Sequence, residues 1–390
     1  MVDPVLNPYS PGAGRRPPEL AGRELELRRF DVLAARLEQG RSDRGLIITG
    51  LRGVGKTVLL NEFRRRAEDH HWIVAKIEAG GDRPLATMAA QSLNQALRSA
   101  SGRFGGRERF TRALEVFRAF SLKVSPDGAL ALGLDVDAAR GRADTGELET
   151  DLTELATDLS HAGTELGLGV LVLIDEMQDL ADHELAAVAA ASHETGQLDL
   201  PFIVIGAGLP NLPVALTEAK SYAERLYEYL AVGPLGPDDA AEALVVPAAA
   251  HEVTWDADAL DLVCEASAGY PYFLQVYGNV VWNYASHNPI TAADAEVGVL
   301  AARQELDIGF YGSRWERATP AQQAYLRALA EGGDAPGTTA VVASRLKRRP
   351  SDVSVARDQL IKKGLLYAPD RGHVAFTVPG MADFVTRQPR

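Results

Sequence analysis

The chain has 390 residues, too many for one hydrophobic core, and its length indicates about two to three domains. Its 46% hydrophobic and 24% charged residues are typical of a globular protein, and no apolar run reaches the length of a membrane-spanning helix. Residues 1–20 lack the apolar segment of a signal peptide, and the single cysteine, Cys264, excludes an internal disulfide, so we expect a cytoplasmic protein without membrane contact.

Alternating strand and helix patterns predict a parallel α/β sheet flanked by helices over residues 21–235, after an extended arm over residues 1–20. The predicted strands are Gly45–Thr49, Trp72–Ile77, Val170–Ile174, Phe202–Ile205 and Tyr227–Val232. The predicted helices are Arg23–Gln39, Lys56–Ala67, Leu85–Leu97 and Gly146–Leu166. Residues 119–136 alternate around Pro126-Asp127-Gly128, a turn sequence that predicts an inserted β-hairpin.

The pattern becomes helical after Pro237, which predicts a helical lid over residues 236–312. Its helices are Asp238–Leu244, Ala257–Ala266, Tyr272–Tyr284 and Ala292–Asp307. Residues 313–390 form a third predicted unit, a winged-helix domain, because three helices precede a two-stranded hairpin. These elements are Thr319–Glu331, Thr338–Leu346, Ser351–Lys363, Gly364–Tyr367 and His373–Thr377.

The net charge changes sign along the chain. The whole chain carries −13, whereas residues 313–390 contain 13 Lys and Arg against 7 Asp and Glu, a net charge of +6, which leaves −19 for the remainder. A basic C-terminal unit beside an acidic body suits an anionic partner, which is either duplex DNA or the acidic body itself.

The strongest motif is Gly50-Leu-Arg-Gly-Val-Gly-Lys-Thr57, which lies between a predicted strand and a predicted helix. Such a P-loop turns backbone N–H groups towards phosphate oxygens, and the helix that begins there adds its positive end. Lys56 is expected to reach the β- and γ-phosphates, and Thr57 to bind Mg²⁺. The cofactors predicted are therefore ATP or ADP and Mg²⁺, bound by Gly50, Arg52, Gly53, Val54, Gly55, Lys56, Thr57 and Val58.

A second motif, Gly169-Val-Leu-Val-Leu-Ile-Asp-Glu176, is an apolar run that ends in two carboxylates. Ligands of open α/β sheets bind at the carboxyl ends of the strands. Asp175 is therefore expected to hold the Mg²⁺ hydration shell, and Glu176 to orient the attacking water. On its own the motif equally suits an acidic turn, but together with the P-loop it predicts ATP hydrolysis.

The chain resembles the AAA+/STAND group of P-loop ATPases, and most of all bacterial relatives of the origin-recognition ATPases, over residues 19–310. The resemblance rests on Leu20-Ala-Gly-Arg-Glu24, the P-loop, Leu173-Ile-Asp-Glu176 and Gly269-Tyr-Pro-Tyr-Phe273. It implies that Gly22 and Arg23 lie near the adenine and that Pro271 lies near the base and sugar. The alternatives are a helix N-terminus for the first pair and a helix-initiating proline for Pro271.

Two features of the resembled group are missing from the sequence. The strand ending at Gly208 has no polar sensor residue, Asn211 being the nearest candidate, and residues 269–284 contain no arginine. Arg225 occupies the place of an arginine that reaches a γ-phosphate, with a surface ion pair to Glu224 or Glu228 as its alternative. Fewer groups at the transition state imply slow turnover, so we expect a nucleotide switch.

Residues 345–363 of the C-terminal unit carry the basic residues Arg345, Lys347, Arg348, Arg349, Arg357, Lys362 and Lys363. They suit DNA phosphates, although a protein-binding or autoinhibitory unit has the same composition. Three hypotheses remain open: a switch ATPase with a DNA- or protein-binding unit, a DNA-binding initiator or loader that self-associates on DNA, and a scaffold that binds nucleotide without hydrolysing it.

Overall fold

The computed structural model describes residues 2–81, 83–104, 106–126 and 136–389. Five parallel strands form its main sheet: β1 (Gly45–Thr49), β2 (Ile73–Glu78), β3 (Val170–Asp175), β4 (Phe202–Gly208) and β5 (Tyr227–Ala231). Their order across the sheet is β2-β3-β4-β1-β5. All five residues of β1 are buried, as expected of a strand that helices cover on both faces. The predicted strands are therefore present, and the carboxyl ends of β1, β3 and β4 meet at one edge.

Helices connect these strands and pack on both faces of the sheet. They are α1 (Glu24–Glu38), α2 (Lys56–Asp69), α3 (Leu85–Phe104), α4 (Glu108–Val124), α5 (Leu148–Leu166), α6 (Asp182–Gln197), α7 (Leu212–Ala219) and α8 (Ala223–Leu226). None of the helices in the described ranges is long and apolar enough to cross a membrane.

The predicted hairpin over residues 119–136 is wrong in its first part. Residues 119–124 are the last turns of α4, and residues 127–135, which include the Asp127-Gly128 turn, lie outside the described residues. Phe110, Phe117 and Phe120 are buried together in the core between α3, α4 and α5. Their spacing keeps them on one helix face, and this tertiary packing outweighs the local strand alternation.

A helical region follows the sheet: α9 (Pro237–Ala249), α10 (Ala257–Ser267), α11 (Pro271–Tyr284) and α12 (Ala292–Glu305), then a π-helical segment (Leu306–Gly312) and α13 (Ser313–Glu316). The C-terminal unit contains α14 (Pro320–Ala330), α15 (Thr339–Arg345), α16 (Pro350–Lys362) and α17 (Met381–Arg387). It also contains a small antiparallel sheet in the order β6-β8-β7, formed by β6 (Gly337–Thr338), β7 (Leu366–Tyr367) and β8 (His373–Phe376). The three helices and hairpin expected there are present, and β6 and α17 are additional.

The N-terminal arm is fastened to both halves of the molecule. Tyr9 is buried, and its carbonyl accepts a hydrogen bond of 2.9 Å from Asn279 Nδ2 of α11. Further along the arm, the Gly14 carbonyl accepts one of 2.9 Å from Asn61 Nδ2 of α2. The arm therefore spans from the helical region to the helix that follows the P-loop.

Candidate functional site

The P-loop connects β1 to α2 and has the conformation that its glycines predict. Gly53 and Gly55 have φ angles of +88° and +96°, a region that side chains with a Cβ rarely adopt. Gly55 precedes the first residue of α2, so the N-terminus of that helix opens at the end of the loop. Such an arrangement turns N–H groups towards an anion.

Lys56 is buried at the end of this loop, as the first residue of α2, with 7% of its surface exposed. Its Nζ donates hydrogen bonds to the carbonyl oxygens of Gly50 and Leu51, at 2.8 and 2.9 Å. Burial lowers the pKa of the Lys56 ammonium from 10.5 to about 8, against the opposing effect of the Glu176 and Asp175 carboxylates. The Lys56 ammonium is thus hydrogen-bonded to two neutral carbonyl oxygens. A bound phosphate would offer it negatively charged oxygens instead.

Asp175 and Glu176 lie at the carboxyl end of β3. Asp175 is 4% exposed, and one of its carboxylate oxygens accepts the Glu176 backbone N–H at 3.0 Å. Glu176 has a φ of +49°, so the chain turns sharply after the strand and the Glu176 side chain lines the cavity described below. Its carboxylate lies 3.6 Å from Arg52 Nη2 of the P-loop.

Gln178 is a polar residue of this edge that the sequence reasoning missed. Its Nε2 donates to Glu176 Oε2 at 2.8 Å, and its Oε1 accepts the backbone N–H of Leu209 at 3.0 Å. A Cβ on Gly208 would come within 2.5 Å of Gln178 Oε1, which explains why β4 ends in small residues. Asn211 lies at the start of α7, away from the cavity.

A cavity of about 370 Å³ opens in front of the P-loop. The P-loop, the N-terminal arm, the start of α11 and the segment around residues 310–314 line it together. Most of the predicted site residues lie on its wall: Arg23, Arg52, Gly53, Val54, Gly55, Lys56, Thr57, Val58, Glu176 and Pro271. Gly50, Gly22, Asp175 and Arg225 do not line it.

Arg23 and Gly22 also have structural roles. Arg23 Nη2 donates to the carbonyl oxygens of Val54 and Gly233, at 3.1 and 2.7 Å, and so fastens the P-loop to the chain that follows β5. Burial lowers the pKa of Arg23. Gly22 has a φ of +65° and lies so close to Asp239 that a Cβ would come within 2.6 Å of its carboxylate. The glycine is thus required by the backbone itself.

The helical region contacts the P-loop directly. Pro271 is the first residue of α11, and the Tyr272 N–H donates to the Gly53 carbonyl at 3.1 Å. Phe310 stacks on Tyr272 with ring centres 5.1 Å apart, and Arg314 lies over Phe310 at 3.9 Å from the ring centre. Arg314 was not among the predicted site residues, because it lies 30 residues beyond residues 269–284, the segment in which the resemblance places an arginine.

The C-terminal unit also reaches the P-loop. The Arg52 backbone N–H donates to the Thr377 carbonyl at 3.0 Å. Next to it, Leu51 packs against Leu209, Tyr367 and Ala375, which form a small apolar cluster between the two units. The loop that carries Lys56 is therefore in direct contact with the end of the chain.

Arg225 lies on α8, exposed and outside the cavity. The alternative of an ion pair with Glu228 is not seen, because Glu228 pairs with Arg29 at 2.6 Å. Within the described part of the chain, no carboxylate lies within ion-pair distance of the Arg225 guanidinium.

The basic residues of the C-terminal unit divide into two sets. Arg345 pairs with Glu331 at 3.2 Å, and Arg349 pairs with Asp352 at 3.2 Å. Lys347 and Arg348, between them in sequence, are exposed. As far as the structure describes the chain, neither has a carboxylate within ion-pair distance.

Residues 19–205 match the family model described as an AAA ATPase domain. This chain carries an AAA ATPase domain. Nucleotide binding and hydrolysis are accordingly the activity class of this domain. Residues 308–385 match a family described as a domain of unknown function. No curated protein matches the sequence.

The AAA ATPase domain and the C-terminal unit together are similar in fold to known structures. A Walker-type ATPase of Pyrococcus abyssi is 17% identical with a TM-score of 0.61, over 98% of this chain and 99% of that one. Cdc6p of Pyrobaculum aerophilum is 16% identical with a TM-score of 0.47, over 99% and 97% of the two chains. The RuvB branch-migration motor of Thermotoga maritima is 14% identical with a TM-score of 0.45, over 97% and 100%. At 17% identity the likeness to the Pyrococcus abyssi protein concerns the fold alone.

The residues present fit a nucleotide with Mg²⁺. The positive-φ glycines and the buried ammonium of Lys56 form a phosphate cradle, and Thr57 follows at the start of α2. The described residues contain no cluster of three metal-binding side chains. Mg²⁺ retains several waters and takes ligands from phosphates, so Thr57 and the nearby Asp175 suit it only together with a nucleotide.

Proposed function

We propose that this protein is a Mg²⁺-dependent ATPase of slow turnover that works as a nucleotide switch, coupled to its C-terminal unit. The observation that carries the proposal is the contact between the P-loop and the C-terminal unit, where Arg52 donates to Thr377 and Leu51 packs against Tyr367. A phosphate that draws Lys56 away from the carbonyls of Gly50 and Leu51 changes this same loop.

Each residue of the site has a chemical task in this proposal. Lys56 and the loop N–H groups bind the β- and γ-phosphates, and Thr57 and Asp175 would hold the metal. Bound Mg²⁺ would neutralise charge that develops on the phosphate oxygens. Glu176 accepts a hydrogen bond from the attacking water and orients it, and Gln178 holds the Glu176 carboxylate in place at 2.8 Å. Arg23 and Pro271, on the cavity wall, contact the nucleoside part.

Slow turnover follows from two positions of the ATPase core, the end of β4 and Arg225, that offer no group to the γ-phosphate within the same chain. The end of β4 offers small residues, and Arg225 lies outside the cavity of its own chain. We therefore infer that Arg225 contributes from a neighbouring copy of the chain. The Arg52 ion pair to Glu176, at 3.6 Å, also competes with water for the Glu176 carboxylate until nucleotide binds.

The domain organisation proposed is an arm over residues 1–20, an ATPase core over 21–235, a lid over 236–312 and a winged-helix domain over 313–390. The three helices and hairpin of the last unit support the assignment of a winged-helix domain.

The experiment that tests the proposed function measures ATP binding and turnover in the wild type, in Lys56→Ala and in Glu176→Gln. Loss of binding in the first variant and loss of turnover alone in the second are expected. ATP affinity unchanged by Lys56→Ala would end the proposal.

A second candidate function is a DNA-binding initiator or loader, favoured by the exposed and unpaired Lys347 and Arg348. Neutralising both should weaken binding to duplex DNA and lower the slope of log affinity against log salt by about 2. Arg345 and Arg349 serve as matched controls, because their charges are already paired with Glu331 and Asp352. Equal effects of both pairs, or none, would leave the switch without DNA as the better account.

A further inference from the structure

The segment between α12 and α14 forms part of the nucleotide cavity. It consists of the π-helical residues Leu306–Gly312 and α13, and two of its side chains, Phe310 and Arg314, line the cavity that contains Lys56 and Glu176. The same segment is the only covalent link from the lid helices to the C-terminal unit, because it lies between them in sequence. A nucleotide contact made by a residue of this segment can therefore shift the C-terminal unit directly.

The Arg314 guanidinium is held in place relative to the P-loop. Its Nη1 donates to the Phe310 carbonyl at 2.6 Å, and the group lies 3.9 Å from the centre of the Phe310 ring. Phe310 stacks on Tyr272, whose N–H donates to Gly53. Two stacked rings thus fix the distance between this cation and the loop that cradles phosphates.

The charges around Arg314 are unbalanced. Within the residues that the structure describes, no carboxylate lies within ion-pair distance of its half-buried guanidinium. Burial lowers the pKa of Arg314, and the neighbouring Arg52 cation lowers it further. Arg52, Lys56 and Arg314 share the cavity wall with Glu176. Gathering cations in one partly desolvated place is unfavourable unless an anion joins them.

We propose that Arg314 binds the terminal phosphate of ATP and so makes the cavity distinguish ATP from ADP. This inference rests on the proposed ATPase function and names the residue by which the nucleotide state is read. A guanidinium suits the task because it offers several N–H donors in a plane to phosphate oxygens. The Phe310 ring covers one face of the guanidinium, the Phe310 carbonyl accepts from Nη1, and the Arg314 residue lines the cavity.

The same segment carries this contact to the C-terminal unit. Tyr311 donates from its hydroxyl to the Pro379 carbonyl at 2.9 Å, and its ring stacks on Phe384 of α17 at 5.4 Å. Asp307 pairs with Arg387, also of α17, at 3.0 Å. A shift of Arg314 towards a γ-phosphate moves residues that hold the last helix, close to where Thr377 contacts the P-loop.

The test compares the dissociation constants of ADP and of a non-hydrolysable ATP analogue in the full chain. Arg314→Ala is expected to weaken binding of the ATP analogue by about 10- to 100-fold and binding of ADP by less than about threefold. The difference arises because the contact that the variant loses is with the terminal phosphate, which ADP lacks. Arg314→Lys should restore part of the difference. Arg317→Ala is the matched control, since Arg317 is exposed, lies outside the cavity and its guanidinium donates to the Lys363 carbonyl at 3.3 Å.

A second readout separates this role from a structural one. Hydrogen exchange of residues 381–387 should differ between the ATP-analogue and ADP states of the wild type and of Arg317→Ala, but not of Arg314→Ala. If Arg314→Ala weakened the binding of ADP and of the ATP analogue equally, or left the ratio of their affinities unchanged, the inference would be overturned. Lys56→Ala distinguishes the two proposals: if it abolishes nucleotide binding while Arg314→Ala behaves as the wild type, the ATPase stands and only the role of Arg314 falls.

Discussion

We predict that nucleotide binding depends on pH, as a direct consequence of the burial of Lys56. In the nucleotide-free protein its pKa is lowered from 10.5 to about 8, chiefly because burial removes water from the ammonium. The difference corresponds to roughly 3 kcal/mol by which the neutral form is favoured relative to a solvated lysine. The negative charge of a nucleoside triphosphate beside Nζ favours the charged form of Lys56 again and raises its pKa.

The sign follows from proton linkage. Below pH 8 Lys56 is charged in both the free and the bound protein, so binding exchanges no proton at this site. Above pH 8 the free protein loses the proton and the complex keeps it, so binding takes up one proton. The affinity should then fall by up to about tenfold for each pH unit until the pKa of the complex is reached. The stability of the nucleotide-free protein changes in the opposite direction and rises between pH 8 and 10.5, as the buried charge is removed.

Isothermal titration calorimetry with ATP at about pH 7 to 9.5, in buffers of different ionisation enthalpy, measures both the affinity and the proton uptake. Lys56→Arg is the control, because a guanidinium stays charged throughout this range and its slope should be flat. The neighbouring charges, Asp175, Glu176 and Arg52, are common to both proteins. A wild-type affinity independent of pH, or the same slope in Lys56→Arg, would refute the reasoning.

Three further predictions concern other parts of the site. Glu176→Gln should lower turnover by about 10²- to 10⁴-fold with ATP affinity retained, measured by phosphate release; an equal loss of affinity would contradict its assignment to the water. Gly14→Val should release the arm and speed ADP dissociation in stopped-flow experiments, because Gly14 has a φ of +64° and a Cβ there would lie 2.8 Å from Thr57 Cγ2; Gly12→Ala is the control. The specific ATPase activity of the wild type should rise with protein concentration, and Arg225→Ala should abolish this rise and lower the activity at high concentration by at least about tenfold. A wild type whose specific activity does not depend on concentration would contradict a contribution from a neighbouring copy.

The sheet and the P-loop are predictable from the sequence because their patterns are local. An apolar strand, a glycine loop and a helix follow one another within residues 45–69, and the apolar run before Asp175 needs no distant partner to be recognised. The helical end of α4 was missed because the alternation around Ala119 agrees with a strand, while the burial of Phe117 and Phe120 depends on α3 and α5.

The missed site residues depend on distant parts of the chain. Gln178 is held by the backbone N–H of Leu209, which directly follows β4, and no spacing in the sequence indicates that Gly208 makes room for it. Arg314 reaches the cavity only because Phe310 stacks on Tyr272, 38 residues earlier in the chain. The contact between Arg52 and Thr377 joins residues separated by most of the sequence.

The central claim is that the nucleotide state of the P-loop controls its contact with the C-terminal unit. Hydrogen exchange of residues 364–377 tests it most directly, in the nucleotide-free protein, with ADP and with a non-hydrolysable ATP analogue. The account predicts that the ATP analogue changes the protection of this stretch and that ADP does so to a different extent, with no change in Lys56→Ala. Identical protection in all three states of the wild type, at saturating nucleotide, would contradict the switch.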